Sequence, residues 1–273
     1  MRAPERIAGR AVLRAERAPG GDINEALAVE LEGGVRAFVK GREGAGPGEF
    51  AAEAEGLRWL GAPGGLRTPE VIDVDDDWLA LAWIDSGRLD ATGEEELGRG
   101  LAITHAAGAD AFGAGSSLRF GKLLFPNEPR GTFAAFYGEN RLAPLIRSAG
   151  LSAEGMAAVN SVIERIDALA GPPEPPARVH GDLWSGNVLA DSDGRPWLID
   201  PVAHGGHREV DLAMLSLFGT PAERTMSAYA EVAPLADGWE ERVPLWQLFP
   251  LLVHAALFGA GYADRAEAIA TAL

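Results

Sequence analysis

Val179-His180-Gly181-Asp182-Leu183-Trp184-Ser185-Gly186-Asn187-Val188-Leu189 is the stretch on which the fold turns. Asp182 follows a glycine and precedes an apolar residue, in a loop that enters a strand, and Asn187 comes five residues later. A carboxylate and an amide at that spacing can face one site from opposite ends of a short loop. The carboxylate can accept a hydroxyl proton. The amide oxygen can ligate magnesium without adding charge. Two short apolar pieces follow, Asn187–Ala190 and Pro196–Ile199, joined by Asp191-Ser192-Asp193-Gly194, which predicts a hairpin. Asp200 closes it, thirteen residues after Asn187. A carboxylate at the end of a buried strand is costly unless it is paired or metal-bound. Each residue alone is an ordinary turn or cap residue. H-G-D-x-x-x-x-N, a hairpin and then I-D together describe a phosphate site with two hard oxygen ligands for magnesium.

Working upstream, Lys40 ends the strand pattern Val35–Lys40. If Phe38 points inward, Lys40 shares its face, because strand side chains alternate with period two. A buried ammonium needs anionic partners. On the helical pattern that follows, Phe50, Leu57 and Leu60 form an apolar stripe, and Glu53 lies on it where Glu55 does not. Lys40 and Glu53 are therefore expected to pair, with Lys40 aimed at nucleotide phosphates. Gly20-Gly21-Asp22-Ile23-Asn24 lies about twenty residues before Lys40, and its glycines could let backbone N–H groups approach phosphate oxygens.

The same end of the chain reads as a small antiparallel sheet with one helix. Glu25–Glu32 and Val35–Lys40 flank Gly33-Gly34, and Val71–Val74 and Trp78–Ile84 flank three aspartates. From Glu94 the periodicity becomes helical, with Leu97, Leu101 and His105 on one face. Helices are predicted over Thr132–Ala149, Ala153–Ala170 and from about Glu209, with a proline-rich break at Gly171–Pro176. The expected division is 1–86 for a nucleotide-binding lobe and 87–273 for a helical catalytic lobe.

Composition narrows the chemistry. The 273 residues are 47% hydrophobic and 23% charged, with no cysteine, so disulfides, thiolate catalysis and cysteine zinc sites are excluded. A net charge of −16 without a basic run disfavours nucleic acid and anionic lipid. No apolar run is long enough for a membrane span. Met1–Arg10 has no apolar core of a signal peptide, which makes the cytoplasm the expected location.

These residues resemble the kinase-like fold of aminoglycoside and choline phosphotransferases and, more narrowly, the fructosamine kinase (ketosamine-3-kinase) family. The narrow resemblance rests on H-G-D-L-W-S-G-N at His180–Asn187, I-D-P at Ile199–Pro201 and G-H-R-E-V-D-L-A-M at Gly206–Met214. It extends more thinly to F-V-K at Phe38–Lys40, F-x-x-E at Phe50–Glu53 and L-x-x-x-H at Leu101–His105, and is weakest over 110–175. The resemblance implies an α+β, protein-kinase-like two-lobe fold that uses ATP and Mg2+. Asp182 would orient or deprotonate the acceptor hydroxyl. Asn187 and Asp200 would bind the metal. Gly20, Gly21, Lys40 and Glu53 would serve the phosphates. The strand carrying Leu81 and Trp83 would run into a hinge whose backbone holds adenine. Trp184 would form a wall of the acceptor pocket, while His180, His207 and Asp211 would support the catalytic loop. The implied partner is a small sugar-amine acceptor, met by a monomer. Two features depart from the family: Gly131-Thr132-Phe133 where a tryptophan stretch is usual after the position of Asn127, and Ala82 where an acidic hinge residue is common. The competing readings are an aminoglycoside- or choline-like phosphotransferase and a nucleotide-binding pseudokinase. His105, on an apolar face, reads as a satisfied core residue.

Overall fold

The computed structural model describes residues 1–19, 24–219 and 221–273. The glycine pair Gly20-Gly21 lies outside the described residues. Six antiparallel strands make the main sheet: β1 (Arg6–Ile7), β2 (Arg10–Arg17), β3 (Glu25–Leu31), β4 (Val35–Gly41), β5 (Val71–Val74) and β6 (Trp78–Ala82). Their spatial order is β1-β2-β3-β4-β6-β5. The β3–β4 hairpin turns on Gly33 and Gly34, both at positive φ (89° and 75°), as a tight reversal demands. Helix α1 (Glu49–Gly61) covers one face of this sheet.

Alternation along β4 buries both of its faces. Ala37 and Val39 pack with Ile7, Leu27, Val29 and Leu31 on the side away from α1. Phe38 joins Phe50, Ala54, Leu57, Leu79 and Leu81 on the α1 side. Lys40 shares the Phe38 face and is 6% exposed.

The remainder is mainly helical: α2 (Ala91–Ala106), a single turn α3 (Phe133–Ala135), α4 (Ala153–Leu169), α5 (Glu209–Leu215), α6 (Glu223–Val232), α7 (Trp239–Phe258) and α8 (Ala260–Ala272). Leu97, Leu101 and His105 are all buried on α2, at the predicted i, i+4, i+8 positions. The large apolar core lies between α4, α5, α7 and α8. A smaller cluster sits beneath the loop 180–187, where Leu183 and Leu198 pack on Leu97, Leu101, Leu212 and Tyr229.

Short ladders interrupt the helices. A hairpin, β7 (Leu118–Phe120) and β8 (Leu123–Phe125), was absent from the sequence reading. So were β9 (Ala177–Val179) and β12 (His204–Gly206), which pair with each other. The predicted hairpin is present as β10 (Val188–Ala190) and β11 (Pro196–Leu198), in register Val188↔Leu198.

Thr132–Ala149 is not the continuous α-helix expected. Thr132 caps α3 with its hydroxyl, which accepts from the Ala135 N–H at 3.2 Å. A seven-residue π-helical segment, Phe136–Leu142, and a 3-10 turn, Ala143–Leu145, complete it. The segment packs on α7, which contains Pro244 and Pro250. Interior prolines break the helical ladder. The Tyr137 hydroxyl enters that break: it donates to the Leu245 carbonyl at 2.7 Å and accepts from the Phe249 N–H at 3.3 Å. The wide π-turn carries Tyr137 into this position and Arg141 to the Pro126 carbonyl and the Asn127 side chain.

Candidate active site

Two loops build the centre of the site. One runs from β9 to β10 and carries Asp182 and Asn187; the other runs from β11 to β12 and carries Asp200. Because β9 pairs with β12 and β10 with β11, the loops are held face to face at both ends. The Ile199 N–H bonds to the Asn187 carbonyl at 3.1 Å and the Val202 N–H to the His180 carbonyl at 2.9 Å, which completes the frame. Gly181 has φ 83°, and a Cβ there would collide with the Val202 carbonyl oxygen. Only glycine suits that position.

Asn187 is buried, and its Nδ2 donates to the Asp182 carbonyl at 2.8 Å and reaches Asp182 Oδ2 at 3.3 Å. Its Oδ1 accepts no hydrogen bond from the described residues. Asp200 has φ 55°, a left-handed backbone that few non-glycine residues adopt and that aspartate tolerates. Its side chain is 44% exposed on the cleft and meets the Lys40 ammonium at 2.6 Å. Such outliers cluster at functional sites.

Lys40 also lies 2.7 Å from Glu53, as the strand and helix patterns require. Glu53 Oε1 has no donor in hydrogen-bond alignment, so this contact is an ion pair rather than a directed bond. Burial favours the neutral amine, but Glu53 and Asp200 outweigh it and keep Lys40 firmly protonated. Burial raises the Glu53 pKa, with Lys40 opposing. Helix α1 presses directly on the Asp200 loop: a Cβ at Gly56 would stand 3.1 Å from the Ala203 Cβ and 3.6 Å from Pro201. Arg178 holds the other end of α1, donating to the Trp59 carbonyl at 2.8 Å and to Gly108 at 2.9 Å, with its guanidinium 4.8 Å above the Trp59 ring.

Asp182 is pushed up to about 7, first by burial and then by the charge of Asp200; the Asn187 contact works in the opposite direction. Its loop hangs on Asp211 of α5. The fully buried Asp211 carboxylate accepts from the His180 N–H at 2.7 Å and the Gly181 N–H at 2.9 Å. It also meets His105 Nε2 at 3.2 Å, while His105 Nδ1 meets the Tyr229 hydroxyl at 2.8 Å. The partners assign the proton to Nε2, with Tyr229 donating to Nδ1. Burial alone would raise the Asp211 pKa; these donors hold it below the ordinary value. His180 Nε2 donates to the Ile199 carbonyl at 2.9 Å and its Nδ1 accepts from the Asp182 N–H at 3.3 Å, so it braces the loop from inside.

The remaining candidates fall in different places. Leu81 is buried against α1, in the core behind the site. Trp83 stacks under the Arg36 guanidinium at 4.7 Å and donates to Asp85 at 3.0 Å. Next to them the Ala82 and Trp83 N–H groups are taken by the Glu70 and Arg36 carbonyls, and Ile84 N–H has no partner among the described residues. His207 is stacked on Trp246 at 4.7 Å. Trp184 is 37% exposed beside the loop. Phe133, at the departure from the usual tryptophan stretch, packs against Tyr137, Trp246 and His207. Trp246 is buried, its Nε1 donates to Glu209 at 2.8 Å, and it also lines the recess next to Asp182. Trp239, seven residues earlier on the same helix, is only half-buried.

Sequence reasoning missed the recess itself. Phe120, Val210, Met214, Trp246, Phe249 and Pro250 form a narrow apolar space against Asp182. Phe120 comes from the unforeseen hairpin, and Phe249 and Pro250 from α7 beside the Tyr137 hydroxyl. A wider cavity, about 480 Å³, lies between α2 and α6, far from this loop; its lining charges pair among themselves, as in Arg99 with Glu95 and Glu231.

The donor set fits magnesium and phosphates: carboxylate and amide oxygens on one side and a buried, charged lysine on the other. Among the described residues no helix is long and apolar enough to cross a membrane.

Comparison with known proteins agrees with this geometry. The family model described as fructosamine kinase matches residues 5–273. A "Probable ketoamine kinase" of Synechocystis is 34% identical over 254 residues, 91% of this chain and 86% of that protein. One from Thermus thermophilus is 35% identical, covering 89% and 87%. The crystal structure of a "putative fructosamine-3-kinase" from Thermobifida fusca superposes with a TM-score of 0.92 at 45% identity, covering 97% of this chain and 95% of that one. A choline kinase from Streptococcus pneumoniae, at 18% identity and a TM-score of 0.64, shares the kinase-like fold. The chain belongs to the fructosamine kinase family and is a phosphotransferase of the ketoamine kinase type.

Proposed function

We propose that this protein transfers the γ-phosphoryl group of ATP to a hydroxyl of the sugar moiety of a ketosamine, a sugar joined to an amine. The observation that carries the reading is the convergence of Asp182, Asn187, Asp200, Lys40 and Glu53 on one cleft in a chain of this family. Phosphoryl transfer depends on positioning and charge neutralisation more than on covalent chemistry.

The geometry supports a role for each of these residues. Lys40, kept charged between two carboxylates, would hold the nucleotide's phosphates. Asn187 Oδ1 and Asp200 would hold magnesium, which when bound neutralises charge on the phosphate oxygens. Asp182 would orient the acceptor hydroxyl in the recess and take its proton; a carboxylate with a pKa of about 7 is a competent base near neutral pH. The free N–H of Ile84 would bind the adenine edge, and the lobes would divide near residue 86. A cytoplasmic setting, where ATP is supplied, and a role in removing sugars from glycated amines belong to the same reading.

Release of ADP is the test, with ATP, magnesium and a panel of fructosamines and ribulosamines beside aminoglycosides and choline. Turnover confined to the ketosamines is the expected outcome. Turnover only with the other acceptors, or with none, overturns it.

A further inference from the structure

The recess at Asp182 is small, and a row of aromatic side chains leads away from it. Two residues that line the recess, Met214 and Pro250, are each followed four positions later by a member of the row, Phe218 and His254. Trp184 meets Phe218 edge-on at 6.1 Å; Phe218 meets His254 at 5.1 Å. His254 in turn meets Phe258 at 5.6 Å and Tyr262 at 5.1 Å.

Three of these rings stand on the surface, while Tyr262 rests on the main core. Trp184 is 37%, Phe218 43% and Phe258 66% exposed. The other clustered aromatics near the site, Phe133, Tyr137 and Trp246, are buried or half-buried. The row contains no carboxylate, ammonium or guanidinium group, in a chain of net charge −16. His254 Nδ1 donates to the Pro250 carbonyl at 2.7 Å, which ties the row to the recess wall. Contiguous exposed apolar surface marks an interaction site, and aromatic rings favour edge-to-face and offset contact with other rings.

We propose that the row seats the amine-bearing part of the acceptor: the sugar presents a hydroxyl to Asp182 at the recess, and an aromatic or aliphatic side chain of its carrier lies along Phe218, His254 and Phe258. A ketosamine has two ends; the recess, of about 10 Å³, admits no more than a hydroxyl of the sugar, and Trp184, on the loop that carries Asp182, begins the row that the other end would follow. Continuity of the row with the recess points to the carrier rather than to an unrelated partner. The preferred substrates are then sugars on peptides or amines with neighbouring apolar groups. The inference rests on the ketosamine reading above.

The test compares two capped tripeptides that share a central fructosyl-lysine, one flanked by tryptophan and one by glycine. The wild type is expected to prefer the tryptophan peptide by about tenfold in kcat/KM, mainly through KM. Phe258→Ala, at a mostly exposed position, and the double variant Phe218→Ala/Phe258→Ala should reduce that preference towards unity, with melting temperatures confirming the fold. Equal kcat/KM for the two peptides in the wild type, or a preference that survives both variants, overturns the inference while leaving the ketosamine reading intact. A dimer dissolved by Phe258→Ala, with no peptide preference, makes the row a contact between copies and overturns it too. Absence of turnover with either peptide and with every free fructosamine refutes the acceptor reading itself, and the inference with it.

Discussion

Lys40 and Asp200 are 160 residues apart in sequence and 2.6 Å apart in space. The contact joins the sheet to the catalytic loops, and a metal at Asp200 would have to share that carboxylate with the lysine. Asp200→Asn is expected to weaken magnesium-dependent ADP binding by at least about tenfold, which corresponds to about 1.4 kcal/mol. Metal-free ADP should lose much less. Calorimetric titration with and without magnesium checks this; an equal loss in both would remove the metal role from Asp200.

The raised pKa of Asp182 has two consequences of opposite sign. As a base it must be ionised, so kcat/KM should fall along a one-proton limb as pH drops below about 7. For stability, the folded chain keeps a proton between the ordinary carboxyl value, 3.8, and about 7 that the unfolded chain has already released. Asp182 therefore costs stability increasingly as pH rises through that window. Asp182→Asn should lower turnover by about 10²–10⁴-fold with nucleotide affinity retained. It should also melt about 2–4 °C above the wild type at pH 8, with the gap closing towards pH 4. A variant that melts at the wild-type temperature throughout would show that the carboxylate is not strained by its surroundings.

His105 is the only side-chain donor to Asp211 among the described residues, and Asp211 holds two amides of the catalytic loop. His105→Phe keeps a ring but leaves the buried carboxylate one donor short. We expect a loss of about 1–3 kcal/mol in denaturant unfolding and a lower kcat with little change in the KM for ATP. An unaltered kcat would show that the loop keeps its position without this relay.

Tyr137→Phe removes one oxygen from the kink of α7. The Phe249 N–H and the Leu245 carbonyl would then be buried without their bridge. The expected cost is about 1–3 kcal/mol, and acceptor KM should rise because Phe249 and Pro250 line the recess. Wild-type values in both denaturation and kinetics would contradict this use of the hydroxyl.

Local patterns revealed much of this site. Period two put Lys40 beneath α1, the helical stripe selected Glu53 over Glu55, and the spacing of Asp182, Asn187 and Asp200 implied two opposed loops. What escaped notice was set by distant partners. Nothing in the stretch His204-Gly205-Gly206 marks a strand; it is one because β9 lies alongside. The segment after Thr132 has helical periodicity, but the backbone groups that its Tyr137 bridges lie beside Pro250, more than a hundred residues later. The Glu209–Arg242 pair, 2.6 Å apart and buried, is likewise unreadable from either residue's neighbours. The recess beside Asp182 draws on both kinds of surprise, so the Lys40–Glu53 side was clearer than the recess side.

Gly56 leaves no gap between α1 and the segment that follows Asp200, and Arg178 fastens the helix again at Trp59. A helix fitted that closely cannot rock outward to separate Glu53 from Lys40, the movement by which kinases with a mobile helix of this kind are silenced. The enzyme would then have no resting posture of its own, and its output would follow how much protein is made and how much acceptor arrives. Hydrogen exchange along 49–61 should accordingly be slow and indifferent to added nucleotide; rapid exchange quenched by nucleotide would reveal a hidden brake.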